Sequence, residues 1–149
     1  IDSTSITHSI QLAIAPVFFL TAVAGMIGAV AGRLARIIDR GRYLEAHAKT
    51  TTDAHFLLKT HQEMADLRKR GRLANVSIAL LTTCGFLIGL TIAVLFVGEL
   101  TDLGMARMAI GSFLAGVLCF LLALLSFFVE TVIATRTLSF QLPELPTGN

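Results

Sequence analysis

The sequence predicts an all-α membrane protein with three transmembrane helices and an antiparallel helical hairpin between helices one and two. Of the 149 residues, 54% are hydrophobic, more than a soluble domain of this size normally has. Three long stretches carry no charged residue, whereas ten of the 12 Lys and Arg lie between Arg33 and Arg72. Part of the apolar surface must therefore face lipid, and the positive charge is concentrated in one segment.

The three uncharged stretches are the predicted membrane spans: residues 10–32, 74–98 and 108–129. Each can cross a hydrocarbon core of about 30 Å as a helix that rises about 1.5 Å per residue. The short outer loop 99–107 makes helices two and three antiparallel, and it holds one basic residue. The positive-inside rule therefore places segment 33–73 in the cytoplasm. The N-terminus is then outside, and the cytoplasmic tail 130–149 is inside.

Segment 33–73 is predicted to form the hairpin, because its apolar residues recur at helical spacing on both sides of a threonine turn at residues 50–53. Thr52 or Asp53 is expected to cap the second hairpin helix. No proline lies between Val17 and Gln141, so both hairpin helices can continue unbroken into the membrane spans. Two closely spaced prolines after Arg136 predict an extended end of the tail.

Two runs in helix one resemble a known family. Residues 15–20 read Ala-Pro-Val-Phe-Phe-Leu, and residues 33–42 read Arg-Leu-Ala-Arg-Ile-Ile-Asp-Arg-Gly-Arg. With the layout of roughly residues 6–138, they resemble a family of small bacterial membrane proteins known as domain of unknown function 2721. The resemblance implies a bacterial inner-membrane location and the topology above. It implies no activity, substrate or cofactor.

Four arginines lie where helix one leaves the membrane: Arg33, Arg36, Arg40 and Arg42. The simpler interpretation is an anchor that reaches the lipid phosphates. The alternative is a site for a partner or an anionic lipid, since arginine binds carboxylates and phosphates bidentately. Glu130 ends helix three at the same membrane face, and we expect it to form a structural ion pair with Arg33 or Arg36.

Pro16 and several glycines are the other notable features of the spans. Pro16 removes a backbone hydrogen bond in helix one and predicts a kink, which either acts as a hinge or is simply tolerated. Gly28 with Gly32, and Gly85 with Gly89, are spaced four apart and predict helix packing, because close approach allows van der Waals contact to accumulate. The spacing leaves open whether the packing is within one chain or between chains. A small bundle leaves much helix surface free, which favours a homo-oligomer.

The sequence contains no catalytic, cofactor-binding or metal-binding motif. The hairpin also lacks the interleaved aromatic residues of a nucleic-acid surface. The predicted function is therefore a non-enzymatic membrane protein that oligomerises or serves as an accessory or scaffold subunit of a membrane assembly, with anionic lipid headgroups as further partners. The alternative is a homo-oligomeric ion channel or small-solute pore. The candidate residues for lining it are mildly polar: Gln11, Thr21, Thr82, Thr83, Thr91, Ser112 and Ser126.

Overall fold

The computed structural model describes residues 3–101 and 105–138, which form three long α-helices. Helix α1 spans Ser3–Thr50, α2 spans Ala54–Thr101 and α3 spans Ala106–Leu138. Outside residues 51–53 and Met105, every described residue is helical. The all-α prediction is confirmed. Helices α1 and α2 have 48 residues each and are therefore about 72 Å long.

All three helices are long and apolar enough to cross a membrane. The outer face of α3 illustrates why lipid must surround them. It carries four leucines at helical spacing, each more than half exposed: Leu114, Leu118, Leu121 and Leu125. Such a contiguous apolar stripe is unfavourable in water and favourable in a hydrocarbon core. The chain thus has the architecture of a multi-pass membrane protein.

Helices α1 and α2 pass without a break from the predicted spans into segment 33–73, and a linker of residues 51–53 joins them. Asp53 caps α2, because its Oδ1 accepts a hydrogen bond of 3.0 Å from the amide of His55. Its carbonyl oxygen accepts another, of 3.1 Å, from the amide of Leu57. Pro16 lies inside α1, which remains helical on both sides of it.

The helix ends differ from the predicted boundaries at the two ends of α3. Helix α2 continues to Thr101 and α3 begins at Ala106, so the connection is shorter than the predicted loop 99–107, and residues 102–104 lie outside the described part. Helix α3 also continues past the predicted end of its span, through Glu130 to Leu138. The first part of the predicted tail 130–149 is therefore helical, and residues 139–149 lie outside the described residues.

Helix α2 is the central element, since it packs against both α1 and α3 and runs antiparallel to each. The α1 face against it carries buried residues seven apart, as in a coiled coil: Val23, Val30, Ile37 and Leu44. Helices α1 and α3 are further apart and meet through large side chains. In the apolar half, the ring of Phe19 lies 4.9 Å from that of Phe120 and 6.3 Å from that of Phe113, measured between centroids.

Candidate functional site

The three helices reach the end of their uncharged stretches at a common level, and charged side chains from each of them meet there. The uncharged stretch of α1 ends just before Arg33, that of α2 begins after Arg72, and that of α3 ends just before Glu130. The structure brings together Arg33, Arg70 and Glu130, which we call the ionic cluster. It contains one residue from each helix.

Glu130 is the centre of the ionic cluster and its side chain is completely buried. Arg70 Nε donates a hydrogen bond of 3.0 Å to Glu130 Oε1. Arg33 Nη1 lies 3.0 Å from Glu130 Oε2. Glu130 Oε2 accepts no hydrogen bond within the described residues, so the contact with Arg33 is an ion pair without favourable hydrogen-bond geometry. Both arginines remain partly exposed, at 33% for Arg33 and 22% for Arg70.

Arg33 is held by three residues on one face of α3. Its Nη1 also donates a hydrogen bond to Thr131 Oγ1, and Thr131 donates in turn to the carbonyl of Phe127 at 2.9 Å. The guanidinium carbon lies 5.1 Å from the centroid of the Phe127 ring, within the range of a cation–π contact. The contacts of Arg33 thus connect α1 to α3 at this level, where the two backbones are far apart.

The other arginines of the predicted lipid or partner contact have different surroundings. Arg40 Nε donates a hydrogen bond of 2.7 Å to Glu63 Oε1 across the hairpin, and its guanidinium lies 5.5 Å from the centre of the Tyr43 ring. Arg40 therefore ties α1 to α2. Arg36 and Arg42 are both exposed. Arg36 makes no ion pair with Glu130, so the structure assigns that contact to Arg33 and Arg70 and not to Arg36.

Comparison with protein families gives a match to a model that covers residues 13–140 and therefore most of the three helices. The chain belongs to the DUF2721 family. The description of this family is a protein of unknown function, so membership assigns no activity. Comparison with curated proteins and with solved structures gave no match.

Arg70 is the cluster residue that sequence reasoning missed in this DUF2721 chain. It lies in a run of four basic residues within positions 68–72, and composition does not say which of them turns inward. The signal that could have identified Arg70 as the inward-facing residue is its position seven residues before Ser77. Ser77 is buried, and its hydroxyl donates a hydrogen bond of 3.3 Å to the carbonyl of Ala123 on α3. Two residues seven apart share a helix face, so Arg70 also faces α3.

The predicted packing glycines of the DUF2721 chain fall into two groups. A Cβ added to Gly85 would lie 3.8 Å from Val23 on α1, so this glycine sits in an intramolecular helix contact. A Cβ added to Gly28, Gly32 or Gly89 would meet nothing within 4 Å. Three of the four glycines thus face outward, where only lipid or another chain can reach them.

On α1 the outward glycines belong to a continuous surface of small residues, which we call the α1 stripe: Ala24, Gly25, Gly28 and Gly32. All four are exposed. A Cβ added to Gly25 would also meet nothing within 4 Å. Val23 and Val30, which are buried, lie on the opposite side of the same helix. The α1 stripe is therefore a shallow surface without side chains above it.

Pro16 lies near the other end of the DUF2721 bundle and is buried. It lines an apolar cleft of about 360 Å³ between the three helices, together with Leu12, Leu95, Ile110 and Phe113. The cleft lies at the opposite end of the bundle from the ionic cluster. The side chains that line it are almost entirely apolar. Pro16, for which a kink is predicted, is therefore also a packing position, at the end of the bundle away from the ionic cluster.

Proposed function

We propose that this protein is a non-enzymatic membrane protein that assembles with copies of itself through the α1 stripe. The observation that carries the proposal is the open space next to Gly25, Gly28 and Gly32, where an added Cβ would meet nothing within 4 Å. The opposite side of α1 packs inside the chain through its seven-residue repeat of buried residues. The α1 stripe is a surface of small residues on the side of α1 that is open to a further helix.

The chemistry of the α1 stripe supports a protein partner rather than lipid alone. Lipid tails are as apolar as leucine, so helices associate in a bilayer through close van der Waals contact, which glycine and alanine permit. The lipid-facing surface of α3, by contrast, carries large leucines such as Leu118 and Leu125, each 59% exposed. The exposed surface of α3 thus carries bulky side chains, whereas the α1 stripe carries none.

The topology that goes with this proposal places the hairpin 33–73 in the cytoplasm, the N-terminus outside, and the chain in a bacterial inner membrane. The ten basic residues of the hairpin segment support it, because basic loops are retained on the cytoplasmic side. A cysteine introduced at Thr51, in the linker between α1 and α2, tests it. Labelling of that cysteine in intact cells by a reagent that cannot cross the membrane would reject the orientation.

The assembly is tested by Gly28→Leu, with Gly111→Leu as the matched control. Both glycines are exposed in helices and have open space at the Cβ position, but Gly111 lies on α3, outside the α1 stripe. The protein is extracted gently from its native membrane, and native mass spectrometry gives the mass of each species and identifies every co-purifying chain. We expect a homo-oligomer for the wild type and Gly111→Leu, and monomers for Gly28→Leu.

Two outcomes would reject self-assembly through the α1 stripe. The first is a wild-type protein that is monomeric with no co-purifying chain. The second is a Gly28→Leu variant that assembles as the wild type does. Stoichiometric capture of a different chain, lost in Gly28→Leu, would replace the homo-oligomer with an accessory subunit that uses the same surface.

The contacts of the described residues do not favour the alternative function, a homo-oligomeric ion channel or small-solute pore. Thr91 and Ser112 share a hydrogen bond of 2.7 Å between α2 and α3, and Ser126 donates one of 3.1 Å to the carbonyl of Leu73. These three hydroxyl groups are thus satisfied inside the bundle, whereas a pore needs them on a wet surface. A liposome assay that shows protein-dependent ion flux would reverse this preference.

A further inference from the structure

We propose that Arg33 and Arg36 form a binding site for the phosphate of an anionic lipid headgroup, on α1 at the level where its uncharged stretch ends. The inference is independent of the α1 stripe. It starts from the charges of the ionic cluster, which has two guanidinium groups within 3.0 Å of a single buried carboxylate. Guanidinium stays protonated in proteins, so one positive charge of the cluster has no counter-charge from the chain.

Arg33 is the cluster residue that can present this charge to a ligand. Its Nη1 faces Glu130 and Thr131, and its other N–H groups donate to no acceptor within the part of the chain that the structure describes. A guanidinium has five N–H donors, arranged so that two of them can bind a phosphate or carboxylate in parallel. With 33% of the side chain exposed, the unused donors of Arg33 reach the protein surface.

Arg36 supplies the second cation of the site. It lies three residues after Arg33, a spacing that places both side chains on neighbouring parts of one helix face. Arg36 is exposed, and no described carboxylate forms an ion pair with it. A phosphate placed beside α1 at this level can therefore contact two arginines, neither of which has to give up an existing partner.

The level of the site identifies the ligand as a lipid. The uncharged stretches of all three helices end at the ionic cluster, so Arg33 lies where hydrocarbon gives way to headgroups. The phosphate groups of the bilayer occupy this depth and are present at far higher local concentration than any soluble acidic peptide. The contacts of Arg33 with Phe127 and Thr131 of α3 hold its guanidinium at this level, where a headgroup beside α1 can reach it.

The experiment uses the full chain, purified in a neutral detergent, freed of lipid and then titrated with short-chain phosphatidylglycerol. Phosphatidylcholine and inorganic phosphate are titrated in parallel. The readouts are lipid adducts in native mass spectrometry and the shift in unfolding temperature. The variant is Arg36→Gln and the matched control is Arg42→Gln, since both arginines are exposed on α1 but Arg42 lies further along the hairpin.

We expect phosphatidylglycerol to bind and to raise the unfolding temperature of the wild type and of Arg42→Gln. Its affinity for Arg36→Gln should be about fivefold lower, the usual effect of one arginine at an anionic membrane surface. Equal binding of phosphatidylglycerol to all three proteins would overturn the site. Equal stabilisation by phosphatidylcholine would overturn the selectivity for anionic lipid, and equal stabilisation by inorganic phosphate would overturn the lipid as the source of the phosphate.

Discussion

Replacing Glu130 by glutamine would leave Arg33 and Arg70 facing a neutral amide at the centre of the bundle. The change keeps the shape of the side chain and removes only its charge. Because the carboxylate is fully buried and contacts both guanidinium groups at 3.0 Å, the variant isolates the contribution of the ionic cluster to folding. We expect it to be the most destabilising single charge removal in the described part of the chain.

The expected magnitude follows from the geometry. The two arginine nitrogens each lie 3.0 Å from an oxygen of the same carboxylate, so they are within about 8 Å of each other. At an effective dielectric constant of about 20, their repulsion without Glu130 is about 2 kcal/mol. Removing one partner of a buried pair costs about 3–5 kcal/mol in total. Since Arg33 and Arg70 can turn partly toward water, we expect a loss near the lower end, about 3 kcal/mol.

The assay is the free energy of unfolding in mixed micelles, followed by the loss of helical circular dichroism as a denaturing detergent is added. The control is Glu63→Gln, which makes the same chemical change in the Arg40–Glu63 pair. That pair has side chains 48% and 24% exposed, and such pairs contribute about 0–1 kcal/mol. The reasoning would be refuted if Glu130→Gln cost no more than Glu63→Gln.

Three further substitutions test the packing, the interhelical hydrogen bond and the cap. Gly116→Leu should cost about 2–3 kcal/mol of unfolding free energy, because a Cβ at Gly116 would already lie 3.0 Å from Ile88. Thr91→Val should cost about 0.6–1.7 kcal/mol, since it removes the 2.7 Å hydrogen bond to Ser112. Asp53→Ala should cost about 1 kcal/mol and increase proteolysis at the linker 51–53, because the cap of α2 is lost.

Each of these substitutions has its own control. Gly111→Leu adds the same bulk at a glycine with open space and should be nearly neutral; equal losses at both glycines would contradict the packing argument. Thr83→Val removes a hydroxyl that is exposed and bonded to its own helix, and a loss as large as that of Thr91→Val would contradict the role of the interhelical bond. For the cap, Asp53→Asn should restore most of the stability, as asparagine caps helices nearly as well as aspartate.

The sequence was sufficient to predict the three spans, because a membrane span is recognised from the summed hydropathy of about 20 residues and does not depend on any one of them. The all-α class and the three membrane-length helices are confirmed by the structure. The cap at Asp53 was also predictable, since a cap depends only on residues next to it in the chain. In this chain, features that depend on neighbouring residues or on the average hydropathy of a segment are therefore predictable from the sequence.

The contacts between helices were harder to predict from the sequence, because they depend on the rotation of each helix about its axis. Arg70 faces Glu130, while its neighbours Arg68 and Lys69 are exposed, and this choice is fixed by the packing of α2 on α3. The length of α3 has a related explanation. The charge of Glu130 predicts the end of the uncharged span at residue 129, but it does not end the helix, because this charge is paired and buried and α3 continues to Leu138.

Helices α1 and α2 continue without a break past the level of the ionic cluster, so the hairpin moves rigidly with the membrane segments. From Arg33 to Thr50, α1 extends about 25 Å, and it has no flexible joint between the membrane segment and the tip. A tilt of the membrane segments by about 10° would therefore displace the linker 51–53 sideways by about 4 Å. A change in the tilt of α1 at the level of the ionic cluster is thus transmitted to the tip of the hairpin.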